Sequence, residues 1–285
     1  MRIIPFVKMS GAGNDFMMID NRGQMLRDGE AAGLARAACP RRTSAGADGL
    51  ILIEKASQPG LDYRMRIFNA DGSEAEMCGN GSRCAAVFAR LLGAAGEAQK
   101  VETLAGSLNA TAASDGLSAK VQLSPPSKLE INKNAAVSGR KCDLFFINTG
   151  VPHAIQFVAD VSKVDVKTDG ACIRYHELFK PKGANADFVQ VLSPGAISLR
   201  TYERGVEDET FACGTGAAAA ALVTHLVHGH ASPIKVKTAG NCTLTIHFAR
   251  QGDSLERPFL EGPVATIYKG EFFWGSGETA PIKNK

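Results

Sequence analysis

An excess of one charge, a long apolar run and metal-type cysteine pairs are all missing from this chain of 285 residues. Its 32 basic residues stand against 29 acidic ones. A net charge of +3 is too balanced to suggest nucleic acid or a membrane surface as a partner. The longest apolar run, Ala217–Val223, falls far short of the ~20 residues that a membrane helix needs. The opening Met1–Phe6 lacks the uninterrupted apolar stretch of a secretory leader. Seven cysteines lie scattered at 39, 78, 84, 142, 172, 213 and 242. An odd count without a C-x-x-C pair argues against a disulfide scaffold and against structural zinc. A reduced, cytoplasmic protein without metal is expected.

Two of those cysteines occur in matching settings, Met77-Cys78-Gly79-Asn80-Gly81 and Ala212-Cys213-Gly214-Thr215-Gly216. A small, apolar segment of helical character follows each, Ser82–Leu92 and Ala217–Val227. A thiol just before a helix meets unpaired N–H groups and the positive end of the helix dipole. That setting favours thiolate and draws a cysteine down from its free pKa of about 8.5.

The likeness continues upstream. Ala47-Asp48 resembles Ala186-Asp187, and Gly11 resembles Gly150, with equal spacings of 48 − 11 = 37 and 187 − 150 = 37. A repeat of 213 − 78 = 135 residues is too long for a solenoid and predicts two homologous domains with substrate between them. Pro125-Pro126-Ser127-Lys128 is the expected link, which gives domains 1–127 and 128–263. Strand-like segments outnumber helix candidates (Glu30–Ala38, Ser82–Leu92, Ala217–Val227) and do not alternate with them. The predicted class is therefore α+β.

Two helix N-termini bearing thiols would bind an α-carboxylate. The sulfurs could then approach its α-carbon from opposite faces, one taking a proton and the other giving one. This inversion of a stereocentre requires no cofactor. The remaining cysteines read as core packing, since a lone buried cysteine is usually inert. The glycines beside Cys78 and Cys213 lack a P-loop or dinucleotide pattern. His225, His228 and His230 read as a favourable helix C-terminus rather than as metal ligands. Phe68–Ser73 reads as a turn, and Glu203-Arg204 as a strand end able to meet an amine and a carboxylate.

Together, Gly13-Asn14-Asp15-Phe16, Phe68–Ser73, Cys78–Gly81, Pro152-His153, Glu203-Arg204-Gly205, Ala212–Gly216, Glu261-Gly262-Pro263 and Gly270-Glu271-Phe272 resemble the diaminopimelate epimerase family, in its order. The resemblance implies two pseudo-symmetric domains, each a barrel-like sheet around a central helix, with residues 264–285 completing the first. It implies cofactor-independent conversion of LL- to meso-diaminopimelate, on the route to lysine and peptidoglycan. Cys78 and Cys213 would be the acid/base pair, tuned by His153 and Glu203. Gly79, Asn80, Gly214 and Thr215 would hold the reacting carboxylate. Asn14, Asn69, Asn185, Glu203 and Arg204 would grip the rest of a small amino-acid substrate. A homodimer is one assembly compatible with the sequence. Val151 and Gly49 stand where some relatives have Asn and Gln, which bears on the distal contacts. A racemase for proline, hydroxyproline or histidine, a phenazine-pathway isomerase and a non-catalytic anion-binding module are the alternatives. Asn80, where proline-racemase relatives carry His, and the retained cysteine pair count against the first two.

Overall fold

A computed structural model describes residues 1–127, 129–252 and 254–275. Lys128, at the expected domain boundary, and residues 276–285 of the expected return segment lie outside these. Contacts divide the chain into two units, Met1–Ala119 with the chain from Val264 onward, and Lys120–Pro263.

In the first unit β1 (Arg2–Gly11) turns through Ala12 and Gly13, both at positive φ, into antiparallel β2 (Asn14–Asp20). The strand Ala265–Trp274 pairs antiparallel with β1. Helix α1 (Glu30–Ala38) carries the chain over to β3 (Gly49–Glu54), which runs parallel to β2. Antiparallel β4 (Tyr63–Asn69) follows, then the short β5 (Glu74–Ala75). Next comes α2 (Gly79–Leu91), and finally β6 (Ala98–Thr103), parallel to β4, with its hairpin partner β7 (Gly106–Ala112).

The two helices bury their surfaces differently because their sequences do. Helix α1 buries Ala31, Leu34, Ala35 and Ala38, one stripe at helical spacing, against Ile4, Met17, Leu50 and Leu52. Helix α2 is buried all round from Gly79 to Ala89 and packs on β1, β2, β3, β4 and β7. Small residues let the strands close around it. A Cβ at Gly81 would come within 3.0 Å of Ile51 Cδ1.

The second unit repeats this order. After β8 (Ser118–Gln122) come β9 (Glu130–Val137), β10 (Arg140–Asn148) and β11 (Pro152–Phe157), each antiparallel to the one before from β9 onward. Helix α3 (Val166–Arg174) crosses to β12 (Asn185–Ser193), parallel to β11. Antiparallel β13 (Ala196–Glu203) and β14 (Asp208–Thr210) precede α4 (Gly214–His228). Then β15 (Ile234–Lys237) lies parallel to β13 and pairs with β16 (Thr243–His247). Helix α3 takes the place of α1, burying Val166 and Ile173 against Leu144, Ala186, Phe188 and Tyr202. The alanine-rich α4 takes the place of α2, fully buried from Ala217 to Val223 among β10 to β13, β15 and β16. The fold is α+β, two barrel-like domains each built around one helix, as the family resemblance implies.

Candidate active site

Parallel and antiparallel registers bring the same set of ends together within each unit. In the first, β2 starts at Asn14, β3 at Gly49, β4 ends at Asn69 and α2 starts after Cys78. In the second, β11 starts beside His153, β12 at Asn185, β13 ends at Glu203 and α4 starts after Cys213.

Both cysteines are helix N-caps. Cys78 (φ −144°, ψ 116°) and Cys213 (φ −106°, ψ 113°) hold extended backbone, and each Sγ accepts from the N–H three residues on, Gly81 or Gly216, at 3.4 Å. The helices thus begin at Gly79 and Gly214, three residues before the expected starts. Gly79 and Gly214 are the first helical residues, so their N–H groups belong to the unpaired first turn. Cys78 is half-buried; Cys213 is 8% exposed.

Around Cys78, Asn80 Nδ2 donates to Asn14 Oδ1 at 2.6 Å. The two backbones approach so closely that a Cβ at Gly11 would lie 2.7 Å from the Asn80 carbonyl oxygen. Asn69 lies in the Asn69–Ser73 turn, exposed, with Nδ2 donating to Ser73 Oγ at 2.9 Å. Asp71 in that turn is held below the usual carboxylate range by hydrogen bonds from the Ser73 hydroxyl and amide. Gly49 is confined by backbone, since a Cβ there would stand 2.7 Å from the Phe68 carbonyl oxygen.

Around Cys213 the partners form a line. Thr215 Oγ1 lies 3.5 Å from Cys213 Sγ and 3.0 Å from His153 Nε2, and His153 Nδ1 lies 2.6 Å from Asp187 Oδ2. His153 and Asp187 are wholly buried, and Thr201 Oγ1 donates to Asp187 Oδ1 at 2.7 Å. A carboxylate only accepts, so His153 Nδ1 is the donor to Asp187, and in the neutral ring Nε2 is then the acceptor for Thr215. Asn185 bridges Pro152 and Arg204, donating to the Pro152 carbonyl at 3.1 Å and accepting from Arg204 N at 2.7 Å. Glu203 Oε2 accepts from Thr210 Oγ1 at 3.0 Å. Burial pushes Glu203 above its ordinary pKa, against the pull of Thr210 and His153.

The expected thiolate-favouring effect of the helix start is outweighed at Cys213. Burial, then the negative charges of Glu203 and Asp187, push this thiol well above its ordinary pKa, more than Thr215 and the Gly216 N–H pull it down. Among the other cysteines, Cys84 is core, its thiol pushed up to about 12 by burial, and Cys39 is core, pushed up to about 11. Cys172 is exposed and Cys142 and Cys242 are half-buried, so the core reading does not extend to them. His225 and His228 occupy the last turn of α4, before Gly229 in the left-handed region.

Sequence reasoning gave no role to Asp187, Thr201, Asp48 or Arg83. The repeat contained a signal for two of them: Asp187 follows His153 by 187 − 153 = 34 residues, and Asp48 follows Asn14 by 48 − 14 = 34.

This fold is shared with solved structures of low sequence identity. A phenazine biosynthesis protein of the PhzF family from Bacillus anthracis superposes with a TM-score of 0.73 at 16% identity, covering 96% of this chain and 100% of its own. A hydroxyproline epimerase from Agrobacterium vitis gives 0.68 at 16% identity, over 95% and 91%. Sequence narrows the class. The diaminopimelate epimerase family profile matches residues 6–129 and 145–261. A protein named diaminopimelate epimerase from Aquifex aeolicus is 46% identical over 272 residues, 93% of this chain and 96% of that one. Another from Chlorobaculum tepidum is 41% identical over 264 residues, 92% and 98%. The chain belongs to the diaminopimelate epimerase family, and so to the isomerases that act as amino-acid epimerases.

Proposed function

We propose that this chain interconverts LL- and meso-diaminopimelate, in lysine and peptidoglycan precursor biosynthesis, with Cys78 and Cys213 as acid and base on one α-carbon. The observation that carries this reading is the duplicated helix N-cap cysteine, on a chain whose relatives at 46% and 41% identity bear that name. The α-carboxylate binds to the first-turn N–H groups beside Gly79, Asn80, Gly214 and Thr215. As the α-proton leaves, charge spreads into the carboxylate, and these fixed dipoles stabilise it more strongly than they stabilise the ground state.

Cys213 enters as the thiol, because burial and nearby acids keep its proton on. Cys78, in that form, is the base. After transfer to carbon, Cys213 is the thiolate and Cys78 the thiol, which is the form that serves the reverse reaction. Thr215 and His153 give Cys213 a route by which its proton can be exchanged, S–H to hydroxyl to Nε2, with Asp187 stabilising the imidazolium formed. Arg204 and Asn185, joined by a hydrogen bond, and Asn69 serve the substrate's second amino-acid end. A site that hydrogen-bonds such an end penalises ligands lacking it, since its own polar groups lose partners.

Purified protein incubated with LL-diaminopimelate under reducing conditions, without added cofactor, is expected to form the meso isomer by chiral chromatography. Turnover of lysine or alanine at an equal rate would overturn the substrate assignment, and no isomerisation of any of the three would overturn the reaction.

A further inference from the structure

Behind Asn80 a line of hydrogen bonds runs from a cation to an anion. Arg83 Nη2 donates to Asn80 Oδ1 at 2.9 Å, Asn80 Nδ2 to Asn14 Oδ1 at 2.6 Å, and Asn14 Nδ2 to Asp48 Oδ2 at 3.1 Å. Arg83 and Asn80 are buried. Asp48 is held in turn by Arg41 Nη2 at 2.7 Å and by the Asp15 amide at 3.1 Å. Arg41 also pairs with Asp15 at 2.5 Å, and Lys8 pairs with Asp15 at 2.8 Å.

Every bond in the line points the same way, and the charged ends decide it. A guanidinium only donates, so Asn80 must turn its oxygen toward Arg83. A carboxylate only accepts, so Asn14 must turn its nitrogen toward Asp48. Asn14 is thus set from both ends, its oxygen by the Asn80 N–H that Arg83 turns toward it and its nitrogen by Asp48. Without Asp48 only the Asn80 contact would hold the amide. An amide nitrogen carries two N–H groups, so the one that does not go to Asp48 is left for the substrate's carboxylate, and it keeps its aim only while the nitrogen is held.

The second unit contains the same device with different groups. Asp187, His153 and Thr215 occupy the repeat positions of Asp48, Asn14 and Asn80, with the same 34-residue spacing and the same two-residue step from the cysteine. There the line can move a proton. In the first unit two amides stand in the middle, so it can only hold an orientation.

We infer that Asp48 is a positioning residue for the Cys78 half of the reaction, holding the Asn14 nitrogen at the end of the line that Asn80 does not hold, so that its second N–H is aimed at the substrate carboxylate. This rests on the epimerase reading above. Asp48 touches no reacting atom and acts only through Asn14.

The test is a double-mutant cycle with Asp48→Asn, Asn14→Ala and both together, read as kcat/KM for LL-diaminopimelate. The Asp48 side chain is 38% exposed and asparagine fills the same volume, so the variant retains the fold. Asp48→Asn is expected to lower kcat/KM about tenfold, because a neutral amide that can offer either its oxygen or its NH2 replaces a charged group that can only accept. On the Asn14→Ala background it is expected to cost almost nothing more. An unchanged kcat/KM in Asp48→Asn, or an equal loss on both backgrounds, would overturn the proposal. The side-chain NH2 resonances of Asn14, followed by NMR in isotope-labelled protein, need no turnover. They are expected to move toward those of a free amide in Asp48→Asn, and their staying in place would also overturn it. A wild-type protein that does not epimerise diaminopimelate refutes the functional reading alone, and the resonances still decide the role of Asp48.

Discussion

Two and five residues beyond Cys78 stand Asn80 and Arg83; at the same steps beyond Cys213 stand Thr215 and Ala218. Both cysteines cap their helices in the same way, with the same 3.4 Å contact to an amide three residues on. The groups behind them carry opposite character. A buried guanidinium lies in the first turn of the Cys78 helix, whereas Cys213 feels the acids Glu203 and Asp187. The repeat supplies one capping geometry twice and surrounds its two copies with different groups. On the reading proposed above, that difference is what lets one copy act as acid while the other acts as base.

The largest effect follows from removing either sulfur. Cys78→Ala and Cys213→Ala are each expected to lower epimerisation by roughly a thousandfold, within the usual range for a lost acid/base group, while circular dichroism stays native. If one variant kept wild-type turnover in a chiral assay, the two copies would not be partners in one reaction.

A smaller effect sharpens the contrast. In Cys78→Ala protein, alkylation of Cys213 by iodoacetamide, located by peptide mass spectrometry, reports its thiolate fraction. Because the folded pKa is raised, that rate is expected to stay low at neutral pH and to climb only beyond the free-thiol value of about 8.5. The sign carries into stability. The folded state holds this proton more tightly than the unfolded chain, so its contribution is complete below the unfolded pKa and is lost as pH rises through the folded one. A rate already half-maximal near neutral pH would mean that the helix terminus, not burial, governs Cys213.

Much of this was legible because the chain is duplicated. The bounds of α1, Glu30–Ala38, follow from apolar spacing alone. The first turns of α2 and α4 were hidden, because Gly-Asn-Gly and Gly-Thr-Gly have low helix propensity and cysteine is not an ordinary capping residue. Helix α3 was not anticipated at all. Its segment Lys167-Thr168-Asp169-Gly170 reads as a turn, yet Asp165 caps it, and Gly170 lets it lie against Tyr202, whose Cβ would stand 2.5 Å from a Cβ at that position. The cysteines and their flanking glycines announced themselves through the repeat. The residues behind them did not, since Asp187 meets His153, and Asp48 meets Asn14, only after two strands pair in parallel with the right register.

The division of labour between the two copies is tested most directly by turnover of LL-diaminopimelate in D2O, with both isomers sampled by chiral separation and mass spectrometry during the first few per cent of reaction. If one thiolate takes the proton and the other thiol delivers a solvent-derived hydrogen on the opposite face, the newly formed meso isomer carries deuterium from the start while recovered LL isomer gains it slowly. Equal early labelling of both pools would mean that a single base serves both faces, and would contradict the account.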